Sequence, residues 1–152
     1  MNRTVGILAH VDAGKTTLCE QILYQCGARR VLGRDDHQNA FLDYNPIERQ
    51  RGITIFSEQA TVLWKQIPMT LVDTPGHWDF SPEMERMLGI LDYAVLIISG
   101  TAGIQAHTKN LWRLLEQREI PTFIFLNKCD NPDVCPEKVL EEIRERFACE
   151  LL

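Results

Sequence analysis

The sequence predicts an α/β domain on a mostly parallel sheet, with one antiparallel edge strand and helices on both faces. Short apolar runs alternate with segments of helical periodicity along the 152 residues. The first of these runs leads directly into a loop rich in glycine, lysine and threonine. One hairpin signal, Ile67-Pro68 between two strand-like segments, supplies the antiparallel pair.

The elements follow in order. TVGILA at residues 4–9 reads as a short buried strand. Leu18, Ile22, Leu23 and Cys26 recur at helical spacing, which predicts a helix over 15–26 that stops at Gly27. Residues 29–51 are polar and weakly periodic, and a connection that long in a compact domain is usually functional or mobile. Strands are predicted over 53–64 and 69–73. Ser81-Pro82-Glu83 offers a capping hydroxyl, a proline at the first helical position and an acid in the first turn. It starts a helix that runs to about Leu91. YAVLIIS at 93–99 is continuously apolar, as a strand covered on both faces should be.

Leu111, Leu114 and Leu115 mark a helix over 105–117, and TFIFL at 122–126 is a further buried strand. Val139, Leu140, Ile143 and Phe147 lie on one face of a helix over 136–147, and FACELL at the end of the chain reads as the start of another strand. Right-handed crossovers place the helices on both faces of the sheet. No repeat, low-complexity run or linker breaks the pattern, so one domain spans 1–152.

Composition bounds the function. Apolar residues make up 45% and charged residues 24%, ordinary for a globular domain. A net charge of −5 opposes non-specific nucleic-acid binding through a basic surface, and no DNA partner is expected. No apolar run is long enough to span a membrane, and the start of the chain lacks a signal-peptide layout. Cys19, Cys26, Cys129, Cys135 and Cys149 are scattered without a C-x-x-C pair, which fits reduced thiols in a cytoplasmic protein rather than a zinc site. His10, His37 and His107 show no metal-ligand spacing and read as surface or packing residues.

Three motifs carry chemistry. Ala9-His10-Val11-Asp12-Ala13-Gly14-Lys15-Thr16 lies between a predicted strand and a predicted helix, where a phosphate-binding loop belongs. Alanine replaces the first glycine of the usual pattern. Gly14 lets the backbone turn closely around phosphates at a helix N-terminus, Lys15 would reach the β- and γ-phosphates, and Thr16 would place its hydroxyl on Mg2+. Asp73-Thr74-Pro75-Gly76 follows a strand, with Asp73 positioned as a Mg2+-directed carboxylate and Gly76 as a backbone donor to a γ-phosphate. Taken alone, DTPG is a common turn; behind a phosphate loop it carries weight.

Asn127-Lys128-Cys129-Asp130 follows the strand TFIFL. A carboxylate at Asp130 can accept from N1–H and the exocyclic amine of guanine, a donor pair that adenine lacks. A mismatched base would leave it unpaired at a cost.

The three motifs in this order resemble the nucleotide domain of P-loop GTPases. Arg51-Gly52-Ile53-Thr54-Ile55 and Asp73-Thr74-Pro75-Gly76-His77 are similar to the translational GTPases, ribosome-dependent factors that include elongation factor G. Within that group AHVDAGKTTL, ERQRGITI, DTPGHWDF and GIQAHT look most like the tetracycline-resistance ribosomal protection proteins. Elongation factor G and the GTPase peptide chain release factors are close relatives.

The resemblance implies binding of GTP and GDP with Mg2+, and hydrolysis that is slow alone and stimulated by the ribosome. It implies that Thr54 completes the Mg2+ shell, within a switch segment at about 34–52 ordered by the γ-phosphate. It implies that His77 positions the attacking water, with Val11 and Ile53 as an apolar gate beside it. Asp12, Ala13 and Thr17 match loop residues near the phosphates. No arginine finger is evident, Arg49 and Arg51 being weak matches.

Two other readings stay open: a nucleotide-dependent binding switch with negligible hydrolysis, and an ATPase, which Asp130 opposes. The fold of the resembled family normally carries a sixth strand and a last helix, with a Ser-Ala type element supporting the guanine. No such element precedes Leu152, so that strand and helix are expected to be absent and the chain to be the N-terminal part of a larger factor. The sheet edge near 122–126 is then expected to be exposed and prone to association.

Overall fold

A computed structural model describes residues 2–28, 58–74 and 82–148. The first half holds β1 (Arg3–Ala9), α1 (Lys15–Gln25), β2 (Glu58–Trp64) and β3 (Ile67–Asp73). The second half holds α2 (Pro82–Leu88), β4 (Tyr93–Ser99), α3 (Ala106–Gln117), β5 (Thr122–Asn127) and α4 (Pro136–Phe147).

The sheet runs β2-β3-β1-β4-β5. Strand β1 pairs in parallel with both β3 and β4, β4 pairs in parallel with β5, and β2 alone runs antiparallel, against β3. The predicted class is therefore the observed one: a mostly parallel sheet with one antiparallel edge. Two apolar clusters show that helices cover both faces. On one face Cys19 and Leu23 of α1 pack against Ile7, Leu71, Val62 and Ile97. On the other, Leu8, Leu96 and Ile98 meet Leu88 of α2, Leu115 of α3 and Ile143 of α4. Each fully buried Leu or Ile contributes about 1.5–3 kcal/mol, so these two clusters fix the relative position of every strand end.

Several boundaries differ from the sequence expectation, each for a local reason. The hairpin turns at Lys65 and Gln66, both left-handed (φ 46 and 68), the conformation that matches the strand twist. Ile67 and Pro68 thus belong to β3. Pro68 is tolerated because β3 meets β1 only from Met69 onward, so the missing N–H breaks no central ladder.

Helix α2 stops at Leu88 rather than Leu91. Gly89 weakens the helix there, and Asp92 is tied to β1: its N–H donates to Thr4 O at 2.9 Å and its Oδ2 accepts from Thr4 N at 2.8 Å. That tie places Leu91 over Gly6, where an added Cβ would lie 2.4 Å from Leu91 Cδ1 and would push that side chain aside. Helix α4 spans the predicted residues, with Pro136 at its start, Glu137 in its first turn and Arg144 and Arg146 in its last. Phe147 closes that helix and Ala148 is left-handed (φ 48), so no strand begins at Phe147. The rest of FACELL and residues 53–57 of the first predicted hairpin strand lie outside the described residues.

Among the described strands β5 is last in the sheet order, and it is not the buried strand that its apolar run predicts: it pairs only with β4, and Phe123 and Phe125 are 64% and 40% exposed.

Candidate nucleotide-binding site

Strand β1 ends at Ala9 and the chain turns at once. Ala13 N donates to His10 O at 3.1 Å, and Asp12 (φ 60) and Gly14 (φ 94) both take the left-handed conformation. Gly14 is required twice over. Its φ disfavours a side chain, and an added Cβ would lie 2.3 Å from Asn127 Nδ2. Helix α1 opens directly behind it with Gly14 at the N-cap, no side-chain cap and no acidic residue in the first turn. The first N–H groups of α1 and its positive dipole end therefore carry no side-chain counterpart of their own, the arrangement that receives an anion.

Strand β3 brings the second motif alongside. Its register sets Asp73 opposite Ile7, and Thr74 Oγ1 donates to Ile7 O at 2.8 Å, which pins the end of the strand to β1. Lys15 Nζ lies 2.5 Å from Asp73 Oδ1, with Lys15 8% and Asp73 1% exposed. Cys19 Sγ lies 3.7 Å from the same oxygen. Asp73 Oδ2 is buried and, among the described residues, has no hydrogen-bond partner. Burial pushes the Asp73 carboxyl above its ordinary value, while Lys15 pulls it back down.

The third motif arrives through β5. Asn127 Nδ2 donates to Ala13 O at 2.8 Å, so this residue ties the third motif to the phosphate loop. Gly100 N donates to Asn127 O at 2.7 Å. Lys128 is left-handed (φ 59), and Lys128, Cys129 and Asp130 are exposed. Asp130 thus lies at the surface of the chain.

The structure therefore gathers Ala13, Gly14, Lys15, Asp73 and Asn127 at one end of the sheet, from segments up to 114 residues apart. Thr16 is half-buried in the first turn of α1, Thr17 and Asp12 are exposed, and Val11 is half-buried in the loop. Thr54, Ile53, Gly76 and His77 lie outside the described residues, as do Arg49, Arg51 and the segment 34–52. His10 and His107, far apart in sequence, pack with ring centroids 6.3 Å apart.

Sequence reasoning assigned Asn127 to the base and overlooked its grip on the loop. It also counted Cys19 only among the thiols. The available signal was its spacing: four residues after Lys15 it shares a face of α1.

The donor set suits Mg2+. Among the described residues no three His, Cys, Asp or Glu side chains converge as a metal cage. Asp73 Oδ2, a buried carboxylate oxygen without a hydrogen-bond partner among the described residues, is an oxygen ligand of the kind Mg2+ takes.

Comparison with known proteins decides the family. The model of the elongation factor Tu GTP-binding domain matches residues 1–151. The chain belongs to that family. It is the GTP-binding domain of a translational GTPase.

This GTP-binding domain is 46% identical over 144 residues to the tetracycline resistance protein TetP of Clostridium perfringens, covering 95% of the chain and 22% of TetP. It is 43% identical over 145 residues to elongation factor G 2 of Borreliella afzelii, covering 95% of the chain and 22% of that protein. It is equally 43% identical over 145 residues to the mitochondrial ribosome-releasing factor 2 of Drosophila ananassae, covering 95% and 20%. A crystal structure from Thermus thermophilus superposes with a TM-score of 0.88 at 31% identity, covering 94% of this chain and 22% of that one. The chain thus spans about a fifth of the length of the curated relatives it matches.

Proposed function

We propose that this domain binds GTP and GDP with Mg2+ and hydrolyses GTP to GDP and phosphate, stimulated by the ribosome, in the cytoplasm. The observation that carries this is the buried Lys15–Asp73 pair at the uncapped start of α1, with Asn127 gripping the loop from the base-reading motif. The N–H groups of the loop and of the first turn of α1 bind the β-phosphate. Lys15 exchanges Asp73 for β- and γ-phosphate oxygens as nucleotide enters. Thr16 and Asp73, with Thr54, would hold Mg2+, which neutralises charge developing on those oxygens when bound. His77 orients the attacking water and Gly76 offers its N–H to the γ-phosphate. Lys128 and Asp130 read the guanine, and the domain 1–152 works as one unit.

Among factor types, the 46% identity to TetP supports a tetracycline-resistance ribosomal protection protein; a translocase or a release factor is the alternative. A nucleotide switch with negligible hydrolysis is the other class of reading. Single-turnover GTP hydrolysis with and without ribosomes tests the proposal. Stimulation that His77→Ala removes while GDP binding persists supports it. Equal rates with and without ribosomes contradict it.

A further inference from the structure

We propose that Cys19 is a positioning residue for Asp73: its thiol holds Oδ1 so that Oδ2 is the oxygen left for a divalent cation. The inference rests on the nucleotide and Mg2+ reading above and adds a residue to it. Two donors from one face of α1 meet the same oxygen of Asp73: Lys15 Nζ at 2.5 Å and Cys19 Sγ at 3.7 Å. The other oxygen is buried and unpartnered among the described residues. Two donors on one oxygen hold the plane of the carboxylate, with one oxygen turned to α1 and the other turned away from both donors.

Cys19 is fully buried, among Ile7, Leu23, Leu71 and Ile97, so solvent does not compete for its S–H. Its S–H, a weak donor, is therefore kept for Asp73 Oδ1, 3.7 Å away. The two donors differ in what happens next. Lys15 is the cation that leaves for the phosphates when nucleotide binds. Cys19 cannot follow, because it is locked in the core of α1. It is then the side-chain donor that still fixes Oδ1 while Oδ2 faces the cation.

The test is the affinity of the 152-residue chain for a fluorescent GDP analogue, measured in excess Mg2+ and in EDTA. Parent, Cys19→Ala and Cys19→Ser are compared, with circular dichroism melts to establish folding. The expected result is that the gain in affinity from Mg2+ falls about threefold in Cys19→Ala and is retained in Cys19→Ser, as befits a weak donor restored by a hydroxyl. If Cys19→Ala does not fold, Cys19→Val, close to the thiol in volume, takes its place. Equal Mg2+ gains in parent, Ala and Ser variants overturn the assignment and leave the nucleotide site standing. An equal loss in Ala and Ser also overturns it, since packing rather than donation is then responsible. Failure of the parent to bind GDP removes the nucleotide reading itself, and this inference with it.

Discussion

Lys15 Nζ sits 2.5 Å from Asp73 Oδ1, so the cation of the phosphate loop and the carboxylate at the end of β3 neutralise each other across 58 residues of sequence. Asp73 has its carboxyl raised from an ordinary 3.8 by burial. A group raised on folding contributes stability below its unfolded value and loses that contribution as pH rises through the folded value. At neutral pH the ionised Asp73 is therefore a cost to the empty fold that Lys15 reduces. Lys15→Ala should destabilise the nucleotide-free protein by about 3–5 kcal/mol, because it leaves a buried charge unpaired. Urea unfolding without nucleotide measures this, and an unchanged midpoint would contradict the pairing.

The contact between Gly14 and Asn127 makes a sharper prediction. Gly14→Ala introduces a Cβ 2.3 Å from Asn127 Nδ2 at a φ of 94°. The expected loss is at least about 2 kcal/mol from backbone strain and clash together. Asn127→Ala alone should cost about 0.5–1.5 kcal/mol for the bond to Ala13 O. Removing both side-chain conflicts at once should cost less than the sum, since the residues touch. Additive losses in the double variant would show that the two do not meet.

Legibility in the sequence followed locality. The strand over 93–99 and the helix over 136–147 stand where periodicity places them, since a continuous apolar run and the stripe ending in Ile143 and Phe147 are local signals. The strand–turn–helix around Gly14 and Lys15 was equally plain, because it needs only local signals in succession. What stayed hidden depends on register and three-dimensional approach. The bond from Asn127 to Ala13 spans 114 positions and has no sequence signal of its own. Cys19 meets Asp73 only because the end of β3 lies beside β1. The end of α2 at Leu88 was missed because the tie between Asp92 and Thr4 acts across the sheet.

The cysteines separate by burial. Cys129 and Cys135 are exposed, Cys26 is half-buried and Cys19 is buried. Burial raises the thiols of both Cys26 and Cys19, Cys19 the further. Brief iodoacetamide treatment of the native chain at about pH 8 should label Cys129 and Cys135 first and Cys19 only after denaturant, as peptide mass mapping reads directly. Fast native labelling of Cys19 would refute its place beneath Asp73.

Asp130 is exposed on the loop after β5, and the proposed function gives it the guanine to read. Asp130→Asn should leave unfolding of the empty protein within about 0.5 kcal/mol of the parent, as for a surface change. Affinity for GDP should fall roughly tenfold or more with the loss of a charge-assisted acceptor, and the xanthine nucleotide should gain. Competition binding with both nucleotides checks the exchange. Undiminished guanine selectivity would remove Asp130 from the base site.

The most direct measurement of the central claim is titration of the chain with a fluorescent GDP analogue in Mg2+, with unlabelled GDP and ADP as competitors. A guanine-nucleotide site built on Lys15, Asp73 and the Asn127 tether predicts saturable binding that GDP displaces and ADP does not. Displacement by both nucleotides alike, or no binding by a folded chain, would contradict it.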